Sequence, residues 1–155
     1  MEEMALATLS AASKEFRGDP KHEYLTGLSM GGYGTWDIAS RFPGRFAAIV
    51  PICGGIVASP DLLKEFPDLA NSGYPDDPKS YTEVARKIGK TPVWIFHGDA
   101  DDTVSVEYSR KMNEALKAAG ADVHYMEYPG VGHNSWDKAY DEPEFMPWLL
   151  SKSLP

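Results

Sequence analysis

A serine stands between two glycines in the run Gly27-Leu28-Ser29-Met30-Gly31. The G-x-S-x-G spacing suits a strand-to-helix turn that lifts the serine hydroxyl clear of the backbone as a nucleophile. Such a turn is expected to be so tight that Gly27 and Gly31, two residues either side, cannot carry side chains without clashing. The helix N-terminus beyond it would favour a developing anion, and the Met30 backbone N–H would point at that anion. A serine is inert alone at neutral pH. It needs a base to take its proton and a carboxylate to orient that base. The chain supplies both downstream. HGDADDTV at 97–104 holds Asp99, Asp101 and Asp102, and GVGH at 130–133 ends in His133. The chemistry implied is acyl transfer through a covalent serine intermediate. A dinucleotide loop would need G-x-G-x-x-G, but from Gly32 the string is Gly-Tyr-Gly-Thr-Trp-Asp, and no Walker lysine follows.

Four histidines compete for the role of base. His22 precedes a strand, His97 lies at a strand end and His124 lies inside a strand; each reads as a hydrogen-bonded structural residue. Only His133 falls on a loop after a late strand, at the edge where open parallel sheets bind ligands. Spacing alone does not rank the three aspartates, since an aspartate-rich loop also serves as a turn or a helix cap. No metal is expected. D-A-D-D lacks the alternating ligands of a calcium loop, and no HExxH motif or Cys/His pair occurs.

The elements that must position these residues follow from glycine and proline punctuation. A helical stripe of Ala5, Leu9, Ala12 and Phe16 predicts a helix over 3–17, closed near Gly18. Strands are expected at 23–28, 46–53, 92–98 and 123–128. Helices are expected at 31–42, 60–66, 81–89, along the stripe Tyr108 to Ala119, and at 144–154. Residues 54–80 form the least regular stretch. The alternation predicts one α/β domain over 1–155, with about four parallel strands and helices on both faces. Hydrophobic residues are 43% and charged residues 25% of the 155, as in ordinary globular domains. The formal charge of −8 argues against nucleic-acid and membrane-surface partners. No apolar run approaches the roughly 18 residues of a membrane span. The acidic first residues do not look like a signal peptide. A soluble protein is expected, its compartment open. Cys53, the single cysteine, excludes an internal disulfide.

With these residues in place, the sequence resembles an α/β-hydrolase serine esterase. It is similar to the phospholipase/carboxylesterase and predicted-peptidase-like group, related to polyhydroxybutyrate depolymerases and feruloyl esterases. The matching segments are 24–55, 92–110 and 128–150, in family order. The family's H-G-x-x-D-x-x-V pattern falls on His97, Gly98, Asp101 and Val104, and so implies Asp101 as the acid. The resemblance also implies Ser29 as nucleophile, His133 as base and Met30 as an oxyanion donor. Trp136 resembles an aromatic flanking the substrate pocket, and equally a packing tryptophan under the histidine loop. No cofactor is implied.

The resemblance leads one to expect several strands, and a second oxyanion donor, before the nucleophile strand. Only 28 residues precede Ser29, too few for the parallel crossovers involved. The expectation is therefore a truncated α/β-hydrolase, the C-terminal catalytic portion of the fold. Its nucleophile strand would form an exposed edge, covered in a homo-oligomer. The function implied is a serine carboxylesterase for short acyl or aryl esters. The alternative is a weakly active or inactive module used for assembly or binding.

Overall fold

The two most apolar runs of the sequence become the two central strands. The computed structural model describes residues 2–65, 67 and 74–155. In it β2, Ala48–Ile52, and β3, Val93–Gly98, are buried at every residue. Both faces of these strands are covered, which is why the runs do not alternate. The flanking strands, β1 at Tyr24–Leu28 and β4 at Val123–Tyr128, are only partly buried. All pairings are parallel, in the order β1-β2-β3-β4. Leu28 lies opposite Ile52, Ile52 opposite Phe96, and Gly98 opposite Tyr128. The C-terminal ends of all four strands therefore open on one edge, as expected for this architecture.

The helices are α1 (Glu2–Glu15), α2 (Met30–Arg41), α3 (Pro60–Glu65), α4 (Pro78–Ile88), α5 (Val106–Ala118), α6 (Trp136–Tyr140) and α7 (Phe145–Leu150). A 3-10 turn spans Pro20–His22. Alternate strand residues point to opposite faces. Ile49, Val93 and Ile95 meet Trp36 of α2, Val84 and Ile88 of α4, and Met112 and Leu116 of α5. Val50, Ile52, Trp94 and Phe96 meet Ala139 of α6 and Phe145 and Leu149 of α7. Helices thus cover both faces. Among the described residues no helix is long and apolar enough to cross a membrane.

The departures from expectation have local causes. α4 starts at Pro78 rather than 81, because the Asp77 side chain accepts from the Ser80 N–H at 2.8 Å and proline suits the first turn. α1 closes on Arg17, which takes the left-handed conformation (φ 56°), and not on Gly18. α6 occupies part of the loop expected after His133. The expected helix over 144–154 is only α7, and the tail turns back so that the Leu154 N–H reaches the Lys21 carbonyl at 2.9 Å. Phe66, the expected end of the helix at 60–66, lies outside the described residues.

Candidate active site

Ser29 links β1 to α2 and occupies the N-cap position with φ 51° and ψ −118°. A non-glycine residue there stores on the order of 1–3 kcal/mol of strain. Its backbone is held on two sides. The Ser29 N–H donates to the Ile52 carbonyl at 3.0 Å, and its own carbonyl accepts from Gly32 and Tyr33. An N-cap serine ordinarily turns its hydroxyl onto its own helix. Ser29 makes no such bond; its Oγ lies 2.8 Å from His133 Nε2.

The two glycines flanking the turn are not equivalent. A Cβ on Gly27 would lie 2.2 Å from the Gly31 carbonyl oxygen and 2.9 Å from Thr35 Oγ1. Only glycine fits there. A Cβ on Gly31 would meet nothing within 4 Å. The expectation that Gly31 must lack a side chain is therefore corrected: it enters the turn through its carbonyl, which crowds Gly27.

Asp101 sits on the loop after β3, and its side chain is fully shielded from solvent. Oδ1 accepts the backbone N–H groups of Thr103 and Val104, each at 2.9 Å. Oδ2 accepts from His133 Nδ1 at 2.8 Å and from His97 Nε2 at 3.1 Å. Burial by itself would raise the carboxyl, but these bonds from His97, His133, Val104 and Thr103 outweigh it and hold Asp101 down at about 2. The competing aspartates do other things. Asp99 accepts the Gly130 N–H at 2.6 Å, tying the two loops together, and Asp102 is exposed beside Thr103.

His133 sits on the loop after β4. That loop lies against the aspartate loop through Ala100 N–H to the Val131 carbonyl at 3.0 Å. The approach is close enough that a Cβ on Gly98 would stand 2.1 Å from the Val131 oxygen. Ser29 Oγ, His133 and Asp101 thus form one hydrogen-bonded chain across three loops. The Trp136 ring meets the His133 ring edge to face, with centroids 5.4 Å apart. His22 pairs with Asp19 at the surface, and His124 packs on Trp94 and Trp148; neither approaches Ser29. His97, read from the sequence as a hydrogen-bonded structural residue, bonds the same carboxylate oxygen as His133. The part of the site that sequence reasoning misses is its buried partner Ser109, for which the sequence carries no signal.

Cys53 Sγ, an Asp101 oxygen and a His133 nitrogen lie within 4.8 Å of one another, a spacing that could gather a metal ion. The donor chemistry fits poorly. Burial pushes the Cys53 thiol up to about 11, and the Asp101 and His133 atoms already share a hydrogen bond that a metal would displace. A cleft of about 400 Å³ between α4 and α5 is lined by Asp76, Tyr81 and Lys111, among others, and includes none of the Ser29 group.

A parallel sheet whose strand ends carry a serine turn, an acid loop and a histidine loop defines an α/β-hydrolase. The model of the prolyl oligopeptidase family (peptidase S9) matches residues 3–150, and the chain belongs to that family. Acyl-protein thioesterase 1 of Gibberella zeae is 41% identical over 66 residues, covering 43% of this chain and 27% of that protein. Carboxylesterase SOBER1 of Arabidopsis thaliana is 25% identical over 120 residues, covering 77% of this chain and 45% of its own length. The crystal structure of a thermostable esterase superposes with a TM-score of 0.72 at 32% identity, covering 97% of this chain and 37% of that one. The chain spans less than half the length of each of these relatives.

Proposed function

We propose that the protein is a serine hydrolase of carboxylic esters with short acyl or aryl groups, working through an acyl-enzyme on Ser29. The observation that carries this is the unbroken chain from Ser29 Oγ through His133 to Asp101 Oδ2, 2.8 Å at each link. The likeness to proteins named esterase, carboxylesterase and thioesterase supports the same chemistry.

Asp101, ionised, holds the His133 Nδ1–H and so leaves Nε2 as the acceptor for the Ser29 proton. Ser29 Oγ attacks the carbonyl carbon as its proton moves to Nε2. The tetrahedral oxyanion is met by the Met30 N–H at the start of α2. His133 then returns the proton to the leaving alcohol. Water, deprotonated in turn by His133, cleaves the acyl-enzyme and restores Ser29. Trp136, beside His133, borders the bound ester. Amides, with poorer leaving groups, are expected to turn over far more slowly.

A second oxyanion donor completes the site, since losing one of two costs roughly 10²–10³ in kcat. β1 is an edge of the sheet, and exposed Met30 and Tyr140 lie along it, Tyr140 through its contact with Thr26. The active form is a homo-oligomer in which a second copy covers this edge. Specific activity should then rise with protein concentration, and a monodisperse monomer at micromolar concentration in the ultracentrifuge counts against it. A fluorophosphonate probe is expected to add its mass at Ser29, and a nitrophenyl-ester series should favour short acyl chains. Correctly folded protein that resists the probe sinks the proposed function.

A further inference from the structure

On the other side of Asp101 from His133 the molecule holds a second serine–histidine pair, entirely buried. His97 ends β3, and its side chain has no solvent exposure. Its Nε2 lies 3.1 Å from Asp101 Oδ2 and 3.0 Å from the Val104 carbonyl oxygen. Both neighbours are acceptors, so Nε2 must carry hydrogen. The Ser109 hydroxyl of α5, also buried, lies 2.7 Å from Nδ1, and a hydroxyl pairs with a ring nitrogen as donor or acceptor. The ring is thereby held at both nitrogens.

We infer that His97 is a positioning residue for the ester hydrolysis proposed above, its N–H occupying one side of Asp101 Oδ2 so that the other side faces His133 Nδ1. The inference rests on Ser29, His133 and Asp101 being the working triad. Apolar packing alone would not call for a histidine here. A phenylalanine would fill the space without burying two ring nitrogens, each costly to desolvate unless bonded. The other titratable groups facing Asp101 are the Tyr33 phenol and the Cys53 thiol, and burial keeps both protonated. Asp101 thus receives four donors, and one carboxylate orientation makes all four bonds.

Paired substitutions at this position test the inference. A glutamine amide nitrogen can reach the place of His97 Nε2, whereas an asparagine amide reaches only that of Nδ1. His97→Asn is expected to lower kcat roughly ten- to hundred-fold with KM unchanged, as a small misplacement of a reacting group does. His97→Gln should recover most of the loss. Full activity of His97→Asn, or an Asn and Gln pair equally impaired, overturns the inference. A measurement on the unaltered protein stands beside these should the variants fail to fold. Nitrogen-15 histidine spectra should show His97 protonated at Nε2, and a bare Nε2 overturns it. Fluorophosphonate labelling of Ser29 separates the two proposals. Unlabelled, inactive protein removes the triad, while labelled, active protein with an unimpaired His97→Asn removes only the role of His97.

Discussion

Asp101 lies between two serine–histidine pairs built from the same parts. In one, Ser29 and His133 are 2.8 Å apart, and 21% of the histidine side chain is open to solvent. In the other, Ser109 and His97 are 2.7 Å apart, with none of the histidine exposed. Bond lengths do not separate them. Three other things do. The open pair presents its serine on a strained turn at a helix N-terminus, where a substrate can reach it and backbone N–H groups are free. Its histidine turns Nδ1 to the carboxylate and Nε2 outward, while the buried one turns Nε2 inward and caps Nδ1 with a serine. And, among the described residues, His133 meets an aromatic ring, Trp136, a ring contact His97 does not make. A constellation of residue types becomes a site only when backbone presentation and exposure let it meet a substrate. Sealed, the same constellation is a support.

The widest separation between the pairs should appear on removing each hydroxyl, starting with Ser29. Ser29→Ala is expected to reduce ester turnover by roughly 10⁴–10⁶ while leaving thermal stability nearly unchanged, because its Oγ bonds only His133. A steady-state nitrophenyl-ester assay against the unaltered protein measures this. Residual turnover within tenfold would place the nucleophile elsewhere. Asp101→Asn strikes both pairs at once. An amide keeps one of the two oxygens, so two of the four N–H donors face its NH2. The expected loss in kcat is about 10⁴, with a fall in melting temperature that Ser29→Ala does not share.

Gly27→Ala should disable the open pair without entering the buried one. The new methyl would sit 2.2 Å from the Gly31 oxygen, and relieving such overpacking typically costs about 1–3 kcal/mol. Turnover should fall with it as Ser29 is displaced, while the imidazole proton signal of His97 persists. Gly31→Ala, with open space around it, is expected to keep both activity and stability. Equal damage from the two would refute the asymmetry of the turn.

Much of the open pair is legible in the amino-acid sequence, and almost none of the buried one. The strands 46–53 and 92–98 stand out because strands buried on both faces lose polar alternation, and these become β2 and β3. The order of serine turn, aspartate loop and histidine loop locates Ser29, His133 and the loop that carries the acid. What stays hidden depends on approach in space. Nothing in the spacing of Gly27 and Gly31 tells which backbone crowds which. Spacing within the run Asp99 to Asp102 does not tell that Asp101 turns inward to four donors; the H-G-x-x-D-x-x-V pattern is what implies it. Ser109 reads as an ordinary helix residue, since a sequence does not record that α5 brings its hydroxyl onto the His97 ring. α6 escapes notice because its five residues are too short to show helical periodicity.

Acid offers a gentler way to release both pairs together. Asp101 is held at about 2 in the folded protein, against about 3.9 in an unfolded chain. Because the folded value is the lower one, its contribution to stability is complete above about pH 4. It fades as the pH falls from there through 2. The stability gap between the unaltered protein and Asp101→Asn should therefore narrow over that window, by up to ~2 kcal/mol, as linkage requires. Chemical denaturation at pH 5, 3 and 2 measures it. A gap independent of pH would mean that the four bonds do not depend on the carboxylate charge.

The smallest effect expected is that of Ser109→Ala, and it is the sharpest comparison with Ser29→Ala. Losing the Ser109 hydroxyl leaves His97 Nδ1 buried without a partner, at a cost of roughly 1–3 kcal/mol. For a chain of this size that corresponds to a few degrees in melting temperature, at about 2–4 °C per kcal/mol. The Nε2–H still faces two acceptors, so Asp101 keeps four donors. Turnover should accordingly fall only a few-fold. One serine is then essential for turnover and dispensable for stability, and the other contributes to stability and little to turnover. If Ser109→Ala instead abolished activity in folded protein, the buried pair would take part in the chemistry rather than support it.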